Sequence, residues 1–413
     1  MLLVNKCTPG VHKRVTEENM RKLNKTAACG ILAAALAAGT LSGCSKAIDG
    51  TKTVATVGDE KVTLGLASYM VRDQQAQTTS YYNMLMSQYG VSGSASNVWD
   101  QKGDDGKTVG ESSKDGVMTT INQLYVLKAH AADYDVTITE DEEKAIKEAA
   151  AEFIKDNDEK ILKKLAVSED DIVTYLELVT IRSKMHDPMT ADVDTEVSAN
   201  EKDQTRVTIV KVSTEGTEKD DDGNTIDLTD EEKAQKKDLA QQVLDKVKAS
   251  DDVANADMDA LAKEVDDSLS ATAPAFTTAG DTDDTLDEAV QDAALELKDG
   301  EVADKVIEGD DGYYVVRLDK MLDEDATENK EKTVISERKS DLYDSTLEDW
   351  VKEEKIKVKD KVWDQITVTD SASFVYKSAD SSDDTESSDA QDSTEDTSSQ
   401  DNSEDTTTED TAA

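Results

Sequence analysis

The chain is poor in cysteine, histidine and aromatic residues, and short of positive charge. Its 413 residues hold three cysteines and three histidines, with 4% aromatics and 46 basic against 92 acidic side chains, a formal net charge of −46. Each shortage excludes something. Cys44 is the last cysteine, after Cys7 and Cys29, so nothing beyond it can pair with it or help it hold a metal. His130 and His186 are the only histidines after residue 12, and neither has neighbours at metal-ligand spacing. No metal and no cofactor is expected. There is no phosphate loop, nucleophile elbow or HExxH motif. The acidic excess argues against nucleic acid, whose phosphates want Lys and Arg, and against lying flat on an anionic bilayer. It keeps a chain soluble and favours cationic partners. Long segments nevertheless keep helical and strand periodicity, enough for two modest cores.

What is present around Cys44 gives that thiol a purpose. Arg21, Lys22 and Lys25 precede an uncharged, mostly small or apolar stretch, TAACGILAAALAAGT, from Thr26 to Thr40. It is too short for a spanning helix, which needs roughly 20 residues, but it suits the apolar region of a secretory signal. Leu41-Ser42-Gly43-Cys44 resembles the bacterial lipobox. That resemblance implies a diacylglycerol on Cys44, removal of residues 1–43 and a tether over 44–53. The competing reading is a buried structural cysteine. Each buried methylene contributes about 0.8 kcal/mol, and stable anchoring takes more than one chain. The removed segment carries six basic and two acidic residues, which leaves a charge near −50 and no disulfide. Met20 opens a well-formed signal of its own, leaving residues 1–19 as a mis-called start or an extension.

Val54 to Val62 reads as a hairpin turning at Gly58-Asp59. A helix is predicted from Thr63 through Met70, resuming over Tyr81–Tyr89, and Val91–Gly116 reads as a long loop around Trp99. A helix from Gly116 follows, then two helices opened by the caps Thr139-Glu140-Asp141-Glu142 and Ser168-Glu169-Asp170-Asp171, the second ending before Pro188. The texture then changes. The strand RVTIVKV, the helices DEEKAQKKDLAQQVLDKVKA, MDALAKEV and TLDEAVQDAALELKDGE, and the strand GYYVVRL describe a compact α+β unit over 205–322. From Lys330 the helical texture returns, followed by an extended IKVKDKVWDQITV. The expected architecture is α+β: a mostly helical domain built from both chain ends, 54–200 and 330–370, with the α+β unit inserted. Residues 378–413 carry thirteen acids and no base and read as a disordered tail. That tail is a solvated solubility aid, or a loose cation sponge.

This arrangement resembles the extracytoplasmic foldases of the PrsA and SurA type, a helical chaperone domain with a parvulin-type prolyl isomerase domain between its halves. VATVGDEKVT is similar to the family's opening, and LELKDGEVADKVIEGDDGYYVVRL to the parvulin ending. The resemblance implies a histidine on the first strand and another on the last. Here Thr208 and Tyr314 stand at those places, and their hydroxyls are expected to bond one another; the competing reading is ordinary strand residues. The prolyl pocket implied by the family falls on Leu286 and Val290, with Phe276 as the nearby aromatic. With both histidines gone, strong catalysis is not expected.

The implied function is a membrane-anchored chaperone for unfolded or nascent secreted proteins. Tyr69, Met70, Tyr81 and Met84 are either an adaptable client surface or core. An active isomerase with a remodelled pocket is the alternative. A solute-binding lipoprotein is disfavoured by the missing βαβ alternation. DDDGNTIDL, Asp220 to Leu228, hints at a calcium loop but lacks the terminal Glu and reads also as a plain turn.

Overall fold

The computed structural model describes residues 36–38, 48–88, 98–217, 219, 225–278, 286–372 and 374–376. Cys44, residues 220–224 of the acidic loop and the tail from 377 onward lie outside them. β1 (Leu36–Ala38) pairs antiparallel with β10 (Phe374–Tyr376).

The frame begins with a hairpin of β2 (Thr53–Val57) and β3 (Glu60–Thr63). It turns at Gly58, whose φ of 57° suits a residue without Cβ. α1 (Leu64–Gln88), α2 (Val109–His130), α3 (Glu140–Asp156), α4 (Glu159–Leu165) and α5 (Glu169–Met189) follow. Two expectations change here. α1 runs unbroken past Met70, and α2 starts at Val109 rather than Gly116. The start of α2 is hidden in polar sequence. Glu111 N–H donates to Thr108 Oγ1 at 3.1 Å and Thr108 N–H to Glu111 Oε2 at 2.8 Å, a capping box. Thr139 with Glu142 and Ser168 with Asp171 cap α3 and α5 in the same way. Asp171 also accepts from Thr63 Oγ1, which ties the hairpin to α5. Pro188 sits in the last turn of α5 instead of beyond it.

The far end of the chain completes this frame. α10 (Glu324–Glu353) packs on α2, and β9 (Ile356–Val358) pairs antiparallel with β2, Val358 opposite Ala55. The following stretch, expected to be extended, forms the short helix α11 (Asp360–Trp363) because Trp363 turns inward. Trp363, Ile366, Val368 and Phe374 share one core with Leu66, Ile121, Phe153 and Leu176. The buried Arg72 guanidinium donates to the Thr367 carbonyl at 2.8 Å and lies 4.9 Å from the Phe374 ring centroid. Burial lowers its pKa to about 10.

Between the two halves lies the largest sheet among the described residues. It is made of β4 (Gln204–Ser213), β5 (Ala271–Thr272), β6 (Ala275–Thr277), β7 (Ile307–Glu308) and β8 (Gly312–Lys320), in the order β5-β4-β8-β7 with β6 also on β4. α7 (Asp230–Lys248) and α8 (Met258–Lys263) cover one face and α9 (Glu288–Leu295) the other. Strand alternation sorts the side chains. Val210, Val212, Tyr313 and Val315 meet α7 and α8, while Val207, Ile209, Tyr314, Val316 and Leu318 lie on the α9 side. The chain enters through α6 (Ala199–Lys202) and leaves into α10, and the two connections are clasped together. Arg338 donates to the carbonyls of Asp194 at 3.1 Å and Glu196 at 2.9 Å, and to Glu201. Lys202 pairs with Glu331 at 3.1 Å. This is the expected α+β architecture of a helical frame from both chain ends around an inserted α+β unit.

Candidate functional site

Thr208 and Tyr314 do not meet. β4 and β8 register Thr208 opposite Arg317 and Lys211 opposite Tyr314, which sends the two hydroxyls to opposite faces of the sheet. Thr208 Oγ1 donates to Asp319 Oδ2 at 2.6 Å and accepts from Arg317 Nη2 at 3.3 Å. Arg317 is buried. Its Nε donates to Asp319 Oδ1 at 2.7 Å and its Nη1 to the carbonyls of Val253 and Ala256 at 3.2 and 2.8 Å. Thr208 thus closes a network that pins the 3₁₀ turn Val253–Asn255 to the sheet, and its chemistry is used up there. The β4 residues that share the face of Tyr314 are Lys211, directly opposite it, and Ile209, the neighbour of Thr208, which brings no polar atom. The expected hydroxyl pair is therefore corrected to an isoleucine and a tyrosine on one face.

Tyr314 heads a small polar cluster on that face. Its hydroxyl donates to Asp311 Oδ1, and Lys211 Nζ donates to Asp311 Oδ2. Lys211 Nζ also stands 5.9 Å from the Tyr314 ring centroid. Burial, then the bond to Asp311, pushes the Tyr314 hydroxyl pKa up. Burial tends to raise Asp311, but the bonds from Lys211 and Tyr314 outweigh it and hold the carboxyl low. Gly309 lies against Tyr314 and Asp287, where a Cβ would collide with both side chains. Asp287 is engaged already, capping α9 through Ala289 N–H at 2.9 Å and accepting from Asp310 N–H at 2.7 Å. The cluster is ionically balanced and holds its proton on the tyrosine, so it offers a hydrogen-bonded wall more readily than a proton donor.

Phe276, Leu286 and Val290 come together with Tyr314 and Ile209 in one apolar cluster beneath α9. The three are all buried. The structure makes them packed core, so they do not present an open wall to a proline ring.

The client residues divide. Tyr69 is 2% exposed and makes edge contacts with Phe153 and Tyr175 at 5.3 and 5.1 Å, so it is core and not surface. Met70 is buried but lines a cavity of about 160 Å³ with Asp73, Leu124, Tyr175 and Arg182. Tyr81 and Met84 are exposed by 57% and 62% toward the end of α1. Close to them, Tyr82, Thr78 and Gln74 of α1 face Val109 and Ser112 of α2 across a cleft of about 700 Å³ floored by Trp99. The buried indole N–H of Trp99 has no hydrogen-bond partner among the described residues. Sequence reasoning left Trp99 in a loop and missed this cleft. A lone tryptophan inside a Gly-, Ser- and Asp-rich stretch was the available signal. Among the described residues no group of three or more His, Cys, Asp or Glu side chains is arranged to hold a metal, and no helix is long and apolar enough to cross a membrane.

Residues 219–331 match the family model of the PPIC-type PPIase domain. β4, central in the sheet, precedes that span. Among solved structures, the foldase protein PrsA of Lactococcus lactis is similar at 15% identity, over 76% of this chain and 96% of that one, with a TM-score of 0.30. The PrsA peptidylprolyl isomerase of Bacillus anthracis is similar at 16% identity, over 57% of this chain and 96% of that one, with a TM-score of 0.25. A SurA-like chaperone of Campylobacter jejuni is similar at 14% identity, over 63% and 99%, with a TM-score of 0.18. Likeness at these values carries no residue's role across. No curated protein matches the chain in sequence. Residues 219–331 are thus a PPIC-type PPIase domain by sequence, and with β4 ahead of them they form the α+β unit set into the helical frame.

Proposed function

We propose that this protein is an extracytoplasmic foldase, held to a membrane by a lipid on Cys44, whose helical frame binds unfolded exported polypeptides and whose parvulin domain contributes little isomerase chemistry. The observation that carries the reading is the state of the isomerase face. No histidine falls in residues 204–331. Ile209 and Tyr314 share the face, the Tyr314 hydroxyl is committed to Asp311, and Phe276 and Val290 are sealed in the core. Rotation about a peptide bond faces a barrier of about 18–20 kcal/mol. Lowering it takes a proline pocket and a field that favours the twisted amide. Neither is supported by side chains already packed and paired. The frame, in contrast, offers the exposed Tyr81 and Met84 beside the cleft floored by Trp99. Methionine and aromatic surfaces re-pack around varied partners, as client binding requires.

Two measurements on one preparation test this. An aggregating unfolded client should stay in solution in the presence of the protein, while cis–trans exchange of an X-Pro peptide, followed by NMR, should proceed at its uncatalysed rate. No protection at several-fold excess removes the chaperone reading. The Lys211–Asp311–Tyr314 cluster favours a second reading, an active isomerase that uses the tyrosine as its polar wall. Accelerated exchange that Tyr314→Phe abolishes establishes that reading.

A further inference from the structure

β10 has one strand partner among the described residues, and that partner comes from the apolar stretch ahead of Cys44. Leu36 stands opposite Tyr376, Ala37 opposite Val375 and Ala38 opposite Phe374. β10 is held in place by its own side chains, independently of β1. Phe374 is buried beside the Arg72 guanidinium, and Tyr376 Oη donates to Asp73 Oδ1 at 2.7 Å. β1 also runs beside α4, whose Ile161 and Leu162 pack half-buried on the frame core. The frame therefore presents a preformed strand edge next to apolar helix surface, and an extended backbone already lies along it.

A strand edge is a row of unpaired N–H and C=O groups that another extended chain can pair. Such pairing reads the backbone and is indifferent to sequence, while neighbouring apolar surface selects for apolar side chains. The stretch that supplies β1, GILAAALAAGT, is uncharged, small and apolar. It has the chemistry of an unfolded exported segment. We propose that the outer edge of β10 is a docking edge for an extended apolar segment of an unfolded polypeptide, filled by residues 36–38 in the full chain and vacated when residues 1–43 are removed. This rests on the chaperone reading above and on removal of the signal segment. It makes the precursor self-blocked, since a tethered segment competes at an effective concentration in the millimolar range.

The test uses the full chain and a dye-labelled peptide of residues 30–40 carrying terminal lysines for solubility. Ala37→Pro removes the middle N–H of β1 and should release it. Anisotropy should then show the peptide binding Ala37→Pro at least about tenfold more tightly than the unmodified chain. Adding Val375→Pro should abolish the gain. Amide exchange at residues 374–376, slowed by the peptide in Ala37→Pro, reads the edge without relying on the second substitution. Equal binding to the unmodified and Ala37→Pro chains, or no slowing at 374–376, overturns the proposal. Running the client-aggregation assay on the same proteins separates the two ideas. Equal protection by all of them with an indifferent peptide discards the docking edge and keeps the chaperone. Absence of protection by any of them discards the chaperone.

Discussion

His130 lies flat on Trp350, their ring centroids 4.1 Å apart and their planes 13° from parallel. Tyr134 meets the same indole edge-on at 5.8 Å, and His186 leans on Tyr343 at 5.4 Å. Both histidines beyond residue 12 are thus spent on holding α10. That matters because, of thirty residues in this helix, Leu347 alone is fully buried. Trp350→Ala should cost about 1–3 kcal/mol of frame stability. Urea unfolding would register the loss, with faster amide exchange over 341–352 and little change within the inserted domain. Unchanged exchange in α10 would show that the stack contributes nothing to docking.

Thr208→Val keeps shape and removes the hydroxyl that joins Asp319 to Arg317. Because Arg317 is buried and Thr208 and Asp319 are partly buried, the inserted domain should lose about 1–3 kcal/mol. Since Thr208 faces away from Tyr314, any residual X-Pro exchange activity should be unaffected. A fall in exchange rate without a fall in stability would contradict the assignment of faces.

Asp323 caps α10 through Ala326 N–H at 3.1 Å and accepts from Arg206. The Arg206 bond first, then the backbone bond, holds its carboxyl below the usual range. A carboxyl whose folded pKa is depressed adds stability that is present above its unfolded value, about 3.9, and lost as pH falls through the folded value. Asp323→Asn should therefore destabilise by about 1–2 kcal/mol at pH 7, and the gap should close as pH falls below about 4. Urea midpoints for both proteins at pH 7 and pH 3 check this. A gap of constant size rules it out.

Phe276→Ala empties the centre of the cluster under α9. The expected cost is about 3–5 kcal/mol, read as a lower unfolding midpoint of the inserted domain. A small cost with altered peptide binding would instead place Phe276 in an open pocket.

Much of the architecture was legible because periodicity and caps are local signals. The strands RVTIVKV and GYYVVRL, the cap at Thr139 and the hairpin at Gly58 needed no partner to be recognised. The site was less legible. Assigning Thr208 required the β4–β8 register, and one residue of slip exchanges faces. Ile209, next door, carries no chemical mark of its position. Trp99 and the early start of α2 were concealed by polar residues whose role, capping and lining a cleft, exists only once α1 and α2 are packed. Phe276, Leu286 and Val290 share one cluster, yet whether such residues face a ligand or one another depends on packing that composition does not reveal.

The pairing of β9 with β2 joins residues about three hundred positions apart, and the frame core needs Trp363, Val368 and Phe374 from the chain's far end. The inserted sheet draws on residues 204–320 alone. Contacts distant in sequence form late, because their loop entropy must be met first. A chain delivered from its N-terminus will therefore complete its middle before its beginning. Helices α1 to α5 must wait, apolar faces open, until the last strand arrives. During that interval the frame exposes apolar surface that the inserted domain has already covered, and its folding is open to aggregation in a way the inserted domain's is not.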